Sequence, residues 1–167
     1  MGIEIERKFL VADDGWRGQV TRSVRMAQGY INDMAALREG RQNASVRVRI
    51  AGEQAFLNLK SRELGRSRQE FDYGIPVADA EALLALCVGG RIDKVRHYIS
   101  QGNLTWEVDE FAGDNAGLVV AELELETVDA EFERPAWLGR EVTEQSRYYN
   151  LALAERPYSR WSAQEQA

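Results

Sequence analysis

Residues 45–61 read Ser45-Val46-Arg47-Val48-Arg49-Ile50-Ala51, then Gly52-Glu53, then Gln54-Ala55-Phe56-Leu57-Asn58-Leu59-Lys60-Ser61. Both halves alternate with a period of two, the period of a β-strand, in which successive side chains point to opposite faces. Arg47 and Arg49 oppose Val46, Val48 and Ile50 in the first half, and Asn58 and Lys60 oppose Leu57 and Leu59 in the second. Gly52-Glu53 is a two-residue connection of the kind that joins antiparallel strands, with glycine free to take a positive φ. The stretch reads as a hairpin with one apolar and one cationic face.

The alternation continues in both directions. It predicts strands over 3–10, 24–31, 45–51, 54–61, 68–75, 91–100, 103–110 and 118–127, with a second tight turn at Gln101-Gly102-Asn103. Helices are predicted over Asp79 to Val88, after Pro76, and over Ser146 to Glu155, before Pro157, with a short one near Trp16 to Arg22. Eight strands with tight connections predict a mainly β (α+β) chain, an antiparallel barrel or a sandwich. The expected organisation is one domain over residues 1–161 and a polar tail over 162–167.

The other strands also carry charge on one face. Glu4, Glu6 and Lys8 oppose Ile3, Ile5 and Phe9; Arg68, Glu70 and Asp72 oppose Phe71 and Tyr73. Lys94 and Arg96 oppose Val95, Glu107 and Asp109 oppose Trp106 and Val108, and Glu122, Glu124 and Glu126 oppose Leu123 and Leu125. On one strand this would be a solvated face with cross-strand ion pairs. Repeated around a closed barrel it lines an interior, where unpaired charge is costly, so that interior must hold water, metal ions or a charged ligand. The charges are also sorted by strand, carboxylates on the first, seventh and eighth and cations on the third, fourth and sixth. Carboxylate clusters suit hard cations such as Mg²⁺ or Mn²⁺. Arg and Lys clusters suit phosphate oxygens. Both together suit a metal-chelated polyphosphate.

Composition excludes several classes. The 167 residues are 44% hydrophobic and 29% charged, with net charge −6 and a pI near 5.0. That balance argues against a broadly basic surface, so nucleic acid is not expected as the main partner. Of the 21 basic residues only Lys8, Lys60 and Lys94 are lysines, and all three fall on the charged faces. The single cysteine, Cys87, rules out an intrachain disulfide framework. The absence of a secretory pattern, and of any run near the ~18 apolar residues of a membrane helix, predicts a cytoplasmic protein without a membrane partner. Neither a Gly-rich phosphate loop nor a Ser-His-Asp order is present. His97 has the wrong parity for the charged face and reads as structural. The outward apolar faces need helices, the C-terminal segment or a second subunit to cover them, so a homodimer is expected if the helices fall short.

Glu4-Ile5-Glu6-Arg7-Lys8 resembles the N-terminal ExExK motif of CYTH domains, also called triphosphate tunnel metalloenzymes. Arg47 and Arg49 (RxR), Lys60, Glu70, Lys94 with Arg96, Glu107 with Asp109, and Glu122 with Glu124 (ExE) follow in that family's order. Thr143-Glu144-Gln145-Ser146-Arg147-Tyr148-Tyr149-Asn150 is similar to its small prokaryotic branch. The resemblance implies an eight-stranded antiparallel β-barrel forming a charged tunnel with a few helices packed outside, a triphosphate-bearing small molecule as partner, and Mg²⁺ or Mn²⁺ as cofactor. It implies metal binding at Glu4, Glu6, Glu122 and Glu124, and triphosphate binding at Lys8, Arg47, Arg49, Lys60, Lys94 and Arg96. Glu70, Glu107 and Asp109 would hold a second metal or position the attacking water, completing a catalytic set with Glu4, Glu6 and Lys8, or would serve as structural ion pairs. The expected activity is phosphohydrolysis of an acid anhydride, inorganic tripolyphosphate to pyrophosphate and phosphate. The alternatives are a class IV-type adenylate cyclase, a thiamine or nucleoside triphosphatase using Tyr30, Trp106 or Tyr148 against an organic base, and a non-catalytic polyphosphate-binding barrel.

Overall fold

The computed structural model describes residues 5–61, 69–127 and 129–167. Among these, nine strands form one antiparallel sheet: β1 Ile5–Val11, β2 Arg22–Tyr30, β3 Ala44–Ala51, β4 Gln54–Ser61, β5 Glu70–Ile75, β6 Val88–Gln101, β7 Leu104–Phe111, β8 Val119–Leu125 and β9 Leu138–Glu141. Their order is β5-β4-β3-β2-β6-β7-β8-β1-β9. Gly52 and Gly102, at φ 60° and 61°, make the two expected hairpin turns.

Two pairings between strands distant in sequence organise this sheet. β2 lies beside β6, with Met26 opposite Lys94, and so joins the meander β2–β5 to the meander β6–β8. β1 lies beside β8, with Lys8 opposite Glu122 and Glu6 opposite Glu124. The alternate residues of β1 to β8 that carry the charges line one cavity, so the sheet curls around them. The expected eight-stranded barrel is an open nine-stranded sheet among the described residues. β9 occupies the edge of β1 that closure would have used. Its four residues, Leu138-Gly139-Arg140-Glu141, show no alternation for a sequence pattern to reveal.

The opposite face is packed in two layers. Trp16, delivered by the short 3₁₀ turn Gly15–Gln19, and Trp137 close over Phe9, Trp106, Val108 and Leu123. The helix α2, Val77–Leu84, lays Ala80 and Leu84 on Ala27, Val48, Ile50 and Ala55. Phe71 and Tyr73 on β5 stay 48% and 55% exposed.

A third cluster lies on the cavity side. Tyr30, Ile92, Phe111 and Val120 stand two residues beyond Gln28, Lys94, Asp109 and Glu122, so the same face turns from charged to apolar at one end. Leu153 and Ala154 of the helix Asn150–Glu155 cover that end, together with Tyr148 and Trp161. One of the helices expected outside therefore closes an end of the cavity. The predicted helix over 146–155 is split, with a 3₁₀ turn at Ser146–Tyr148 and extended backbone at Tyr149 before the α-helix.

Two further helices, Met34–Arg38 and Ala163–Gln166, are too short to give a periodic signal; numbered in chain order with α2, the four are α1 to α4. Asp33 caps α1 by accepting from the Ala35 N–H, and Ser162 with Glu165 forms a capping box at α4.

The contact between α3 and β6 requires a glycine. A Cβ at Gly90 would lie 2.8 Å from the Ala154 carbonyl oxygen, a backbone atom that cannot rotate away. Gly90→Ala is expected to destabilise the protein by about 1–3 kcal/mol through this overpacking. A urea midpoint equal to that of the wild type would show that α3 does not depend on the contact.

Candidate active site

A cavity of about 1600 Å³ is bounded by β1 to β8, α1 and α3. Its walls differ in character. On the β6–β7–β8–β1 side the charges form one connected chain. Lys8 Nζ donates to Glu6 Oε1 at 2.5 Å and to Glu122. Arg96 donates to Glu122 at 2.8 Å, to Glu107, and through Nε and Nη2 to both oxygens of Asp109 at 2.7 Å. Lys94 Nζ donates to Asp109 at 2.5 Å. Lys8 and Lys94 are 3% exposed and Asp109 is fully buried.

The cross-strand register explains these pairs. Glu6 faces Glu124 and Glu107 faces Glu122, like charges that repel across adjacent strands unless cations intervene. Arg96 bridges Glu107 and Glu122, and Lys8 bridges Glu6 to Glu122. Burial acts to lower the Lys8 ammonium, but Glu122 and Glu6 outweigh it and hold its pKa above the ordinary lysine value. Burial would raise Asp109, but Lys94 and Arg96 outweigh it and hold the carboxyl below the usual range. Glu6 and Glu107 go the other way: burial raises both, and the neighbouring Glu122 raises them further. The Lys8 ammonium also lies 4.5 Å from the centre of the Tyr149 ring, whose hydroxyl is tied to the Thr143 carbonyl at 2.7 Å.

The β2–β3–β4 wall has few carboxylates. Arg47 Nε donates to Asn58 Oδ1 at 3.0 Å, and the Asn58 amide donates to Asp72. Arg49 has no carboxylate within ion-pair distance among the described residues, and its buried Nε has no hydrogen-bond partner. Burial, Arg47 and Arg96 lower its pKa. Gln28, opposite Arg49 in the register, is 2% exposed and its Nε2 is also buried without a partner. At the rim, Arg38 on α1 and Glu155 on α3 pair at 2.5 Å.

The structure thus brings together Glu6, Lys8, Arg47, Arg49, Lys60, Lys94, Arg96, Glu107, Glu122 and Glu124 around one cavity. Asp109 lies beneath its wall. Glu4 lies outside the described residues, as do Arg62 and Arg68. Glu70 is described only by its backbone, which pairs with Lys60.

His97 sits on the opposite face between Ser23 and Glu110, as its parity predicts. Trp106 is in the outer core, and Tyr148 packs on Trp161 in the cluster beneath α3. Gln28, Tyr149 and Arg38 are cavity residues that the sequence reading did not select. Only Gln28 carries a visible signal, as the one polar residue in Met26-Ala27-Gln28-Gly29-Tyr30.

Glu6, Glu122 and Glu124 offer the hard oxygen donors that a small divalent cation takes. The mutual repulsion that raises Glu6 is what such a cation would relieve. Among the described residues no three acidic, His or Cys side chains already converge at metal-binding distance. The donor set fits a metal, with Lys8 now between two of its members. No helix of the described residues is long and apolar enough to cross a membrane.

The CYTH domain matches residues 2–158. The chain belongs to the CYTH family. An inorganic triphosphatase of Acetivibrio thermocellus is 42% identical to this CYTH chain over 159 residues, covering 95% of it and 97% of the relative. One from Nitrosomonas europaea is 40% identical over 157 residues, covering 90% and 96%. A crystal structure of an inorganic triphosphatase superposes with a TM-score of 0.72 at 36% identity, covering 92% of this chain and 95% of that one. A Hippeastrum protein described as an adenylyl cyclase with dominant triphosphatase activity shares the fold, at TM-score 0.56 and 16% identity over 74% of this chain and 80% of its own.

Asp109→Asn would leave the buried Lys94 without its counter-charge and Arg96 with only Glu107 and Glu122, and is expected to cost about 3–5 kcal/mol in chemical denaturation. Glu107→Gln, at a side chain 34% exposed, should cost under about 1 kcal/mol. Equal effects would show that the chain of charges does not run through Asp109.

Proposed function

We propose that this protein is a divalent-metal-dependent triphosphatase that hydrolyses inorganic tripolyphosphate to pyrophosphate and phosphate. The observation that carries this reading is the division of the cavity. One wall gathers carboxylates around Lys8 and Arg96, and the other presents Arg47 and Arg49, which form no ion pair among the described residues. A polyanion chelated to a cation satisfies both walls together. A non-catalytic anion carrier would gain nothing from Glu6, Glu122 and Glu124. The curated relatives at 40% and 42% identity are inorganic triphosphatases, which supports the same substrate.

Glu6, Glu122 and Glu124, with Glu4, would hold Mg²⁺ or Mn²⁺. Bound there, the cation supplies positive charge and Lewis acidity to the phosphoryl oxygens. Arg47, Arg49 and Lys60 hold the triphosphate, while Lys8, Lys94 and Arg96 face the charge that develops on the equatorial oxygens during in-line attack. Asp109 positions Lys94 and Arg96. Glu107, raised by burial and lining the cavity, accepts a proton from the attacking water. The lone, half-buried Cys87 suits a reducing cytoplasm.

Phosphate release from tripolyphosphate, ATP and thiamine triphosphate, with Mg²⁺, Mn²⁺ or EDTA, tests the reading. Tripolyphosphate should turn over fastest, and EDTA should abolish release; turnover confined to ATP or thiamine triphosphate would overturn the substrate, and none on any would overturn the activity. Glu6 also predicts a pH effect. Its raised pKa keeps it protonated to a higher pH than an ordinary glutamate, so acidification removes its ionised, metal-binding form early. Mn²⁺ affinity measured by titration should therefore begin to fall at a higher pH than an ordinary glutamate ligand would give, and fall more shallowly with acidification in Glu6→Gln.

A further inference from the structure

We infer that Gln28 and Arg49 form a metal-independent phosphoryl subsite, with the Gln28 amide a specificity-determining donor to a non-bridging phosphate oxygen. The inference rests on the triphosphatase reading only for the identity of the anion.

The two residues are directly opposite on β2 and β3 and share the cavity face. Each has a buried nitrogen donor with no partner, although buried donors are paired almost everywhere in folded proteins. Among the described residues Trp16 Nε1 and Arg147 Nε are also unpaired, but Gln28 and Arg49 are the two that stand opposite each other on one cavity wall, and they need the same thing, an oxygen acceptor. Arg49 brings a charge that burial and the neighbouring Arg47 and Arg96 disfavour more than Asp72 supports it. Gln28 brings an amide N–H that adds a directed hydrogen bond without adding to that repulsion.

Distance separates this subsite from the carboxylates. β2 and β8 are three strand spacings apart through β6 and β7, about 14 Å along the curled sheet. A cation held by Glu122 reaches its ligands at roughly 2 Å. Gln28 and Arg49 are not among the carboxylates that would hold such a cation, so the oxygens they meet would be held by protein donors.

The test compares wild type with Gln28→Met, close in shape but without the donor, and Gln28→Glu, close in shape with an added charge. Tripolyphosphate is titrated calorimetrically in EDTA, and steady-state hydrolysis is followed with Mg²⁺. Wild type is expected to bind without metal. Gln28→Met should bind roughly tenfold or more weakly and lose kcat/KM by a similar factor, with its ligand-free thermal midpoint unchanged or raised because an unpaired buried donor is gone. Gln28→Glu should bind more weakly still.

Wild-type binding in Gln28→Met, or no wild-type binding in EDTA, overturns the subsite. A Gln28→Met protein that fails to fold assigns Gln28 a packing role and counts against it, unless Gln28→Glu folds and loses binding. Wild type that binds in EDTA but hydrolyses nothing with Mg²⁺ overturns the triphosphatase reading and leaves the subsite standing.

Discussion

The arrangement of this molecule depends on a chain of opposite charges buried in its concave face: Lys8, Glu122, Arg96, Asp109 and Lys94. Each member alone would be expensive to remove from water, and each is tolerated because its neighbours answer it. The chain passes from β1 through β8 and β7 to β6, so it fixes four strands in one register. A slip of one residue would turn every charge into the outer tryptophan core and every core residue into the cavity. The hydrophobic layers stabilise the sheet; the charges specify which side of it faces inward.

The opposite wall follows another logic. Asn58 bridges Arg47 to Asp72, but Arg49 and Gln28 keep unanswered donors in a buried setting. The protein alone is thus balanced on one side and under-balanced on the other. Stability given up on β2 and β3 is recoverable as binding free energy, a usual arrangement where a site is held ready for a ligand.

The sequence displayed much of this because a strand exposes its own parity. Alternation at Arg47, Arg49 and Lys60, or at Glu107 and Asp109, needs no partner to be read, and eight strands and one charged face follow from it. What stayed hidden belongs to relations between strands. That Lys8, Lys94 and Arg96 are bound up with carboxylates while Arg49 is not depends on β1 lying beside β8 and β2 beside β6, which no local pattern encodes. β9 and α1 are too short to have a period, and α3 sits on the cavity because the charged face turns apolar at Tyr30, Ile92, Phe111 and Val120, residues from four different strands. Gln28 was visible only as one polar residue among apolar ones, and its meaning came from the unpaired nitrogen.

The pairing of β1 with β8 has a consequence for synthesis. Lys8 and Glu122 are 114 residues apart in the chain, and no nascent polypeptide that stops short of Glu122 can complete the acidic wall. While the first half of the protein is emerging from the ribosome, β1 has no partner for its edge and Lys8 has no buried anion. The cation-rich hairpin of β3 and β4, built from neighbouring residues, can form long before. The carboxylates of the cavity and the cations they hold come together only when β8 arrives to join the first strand.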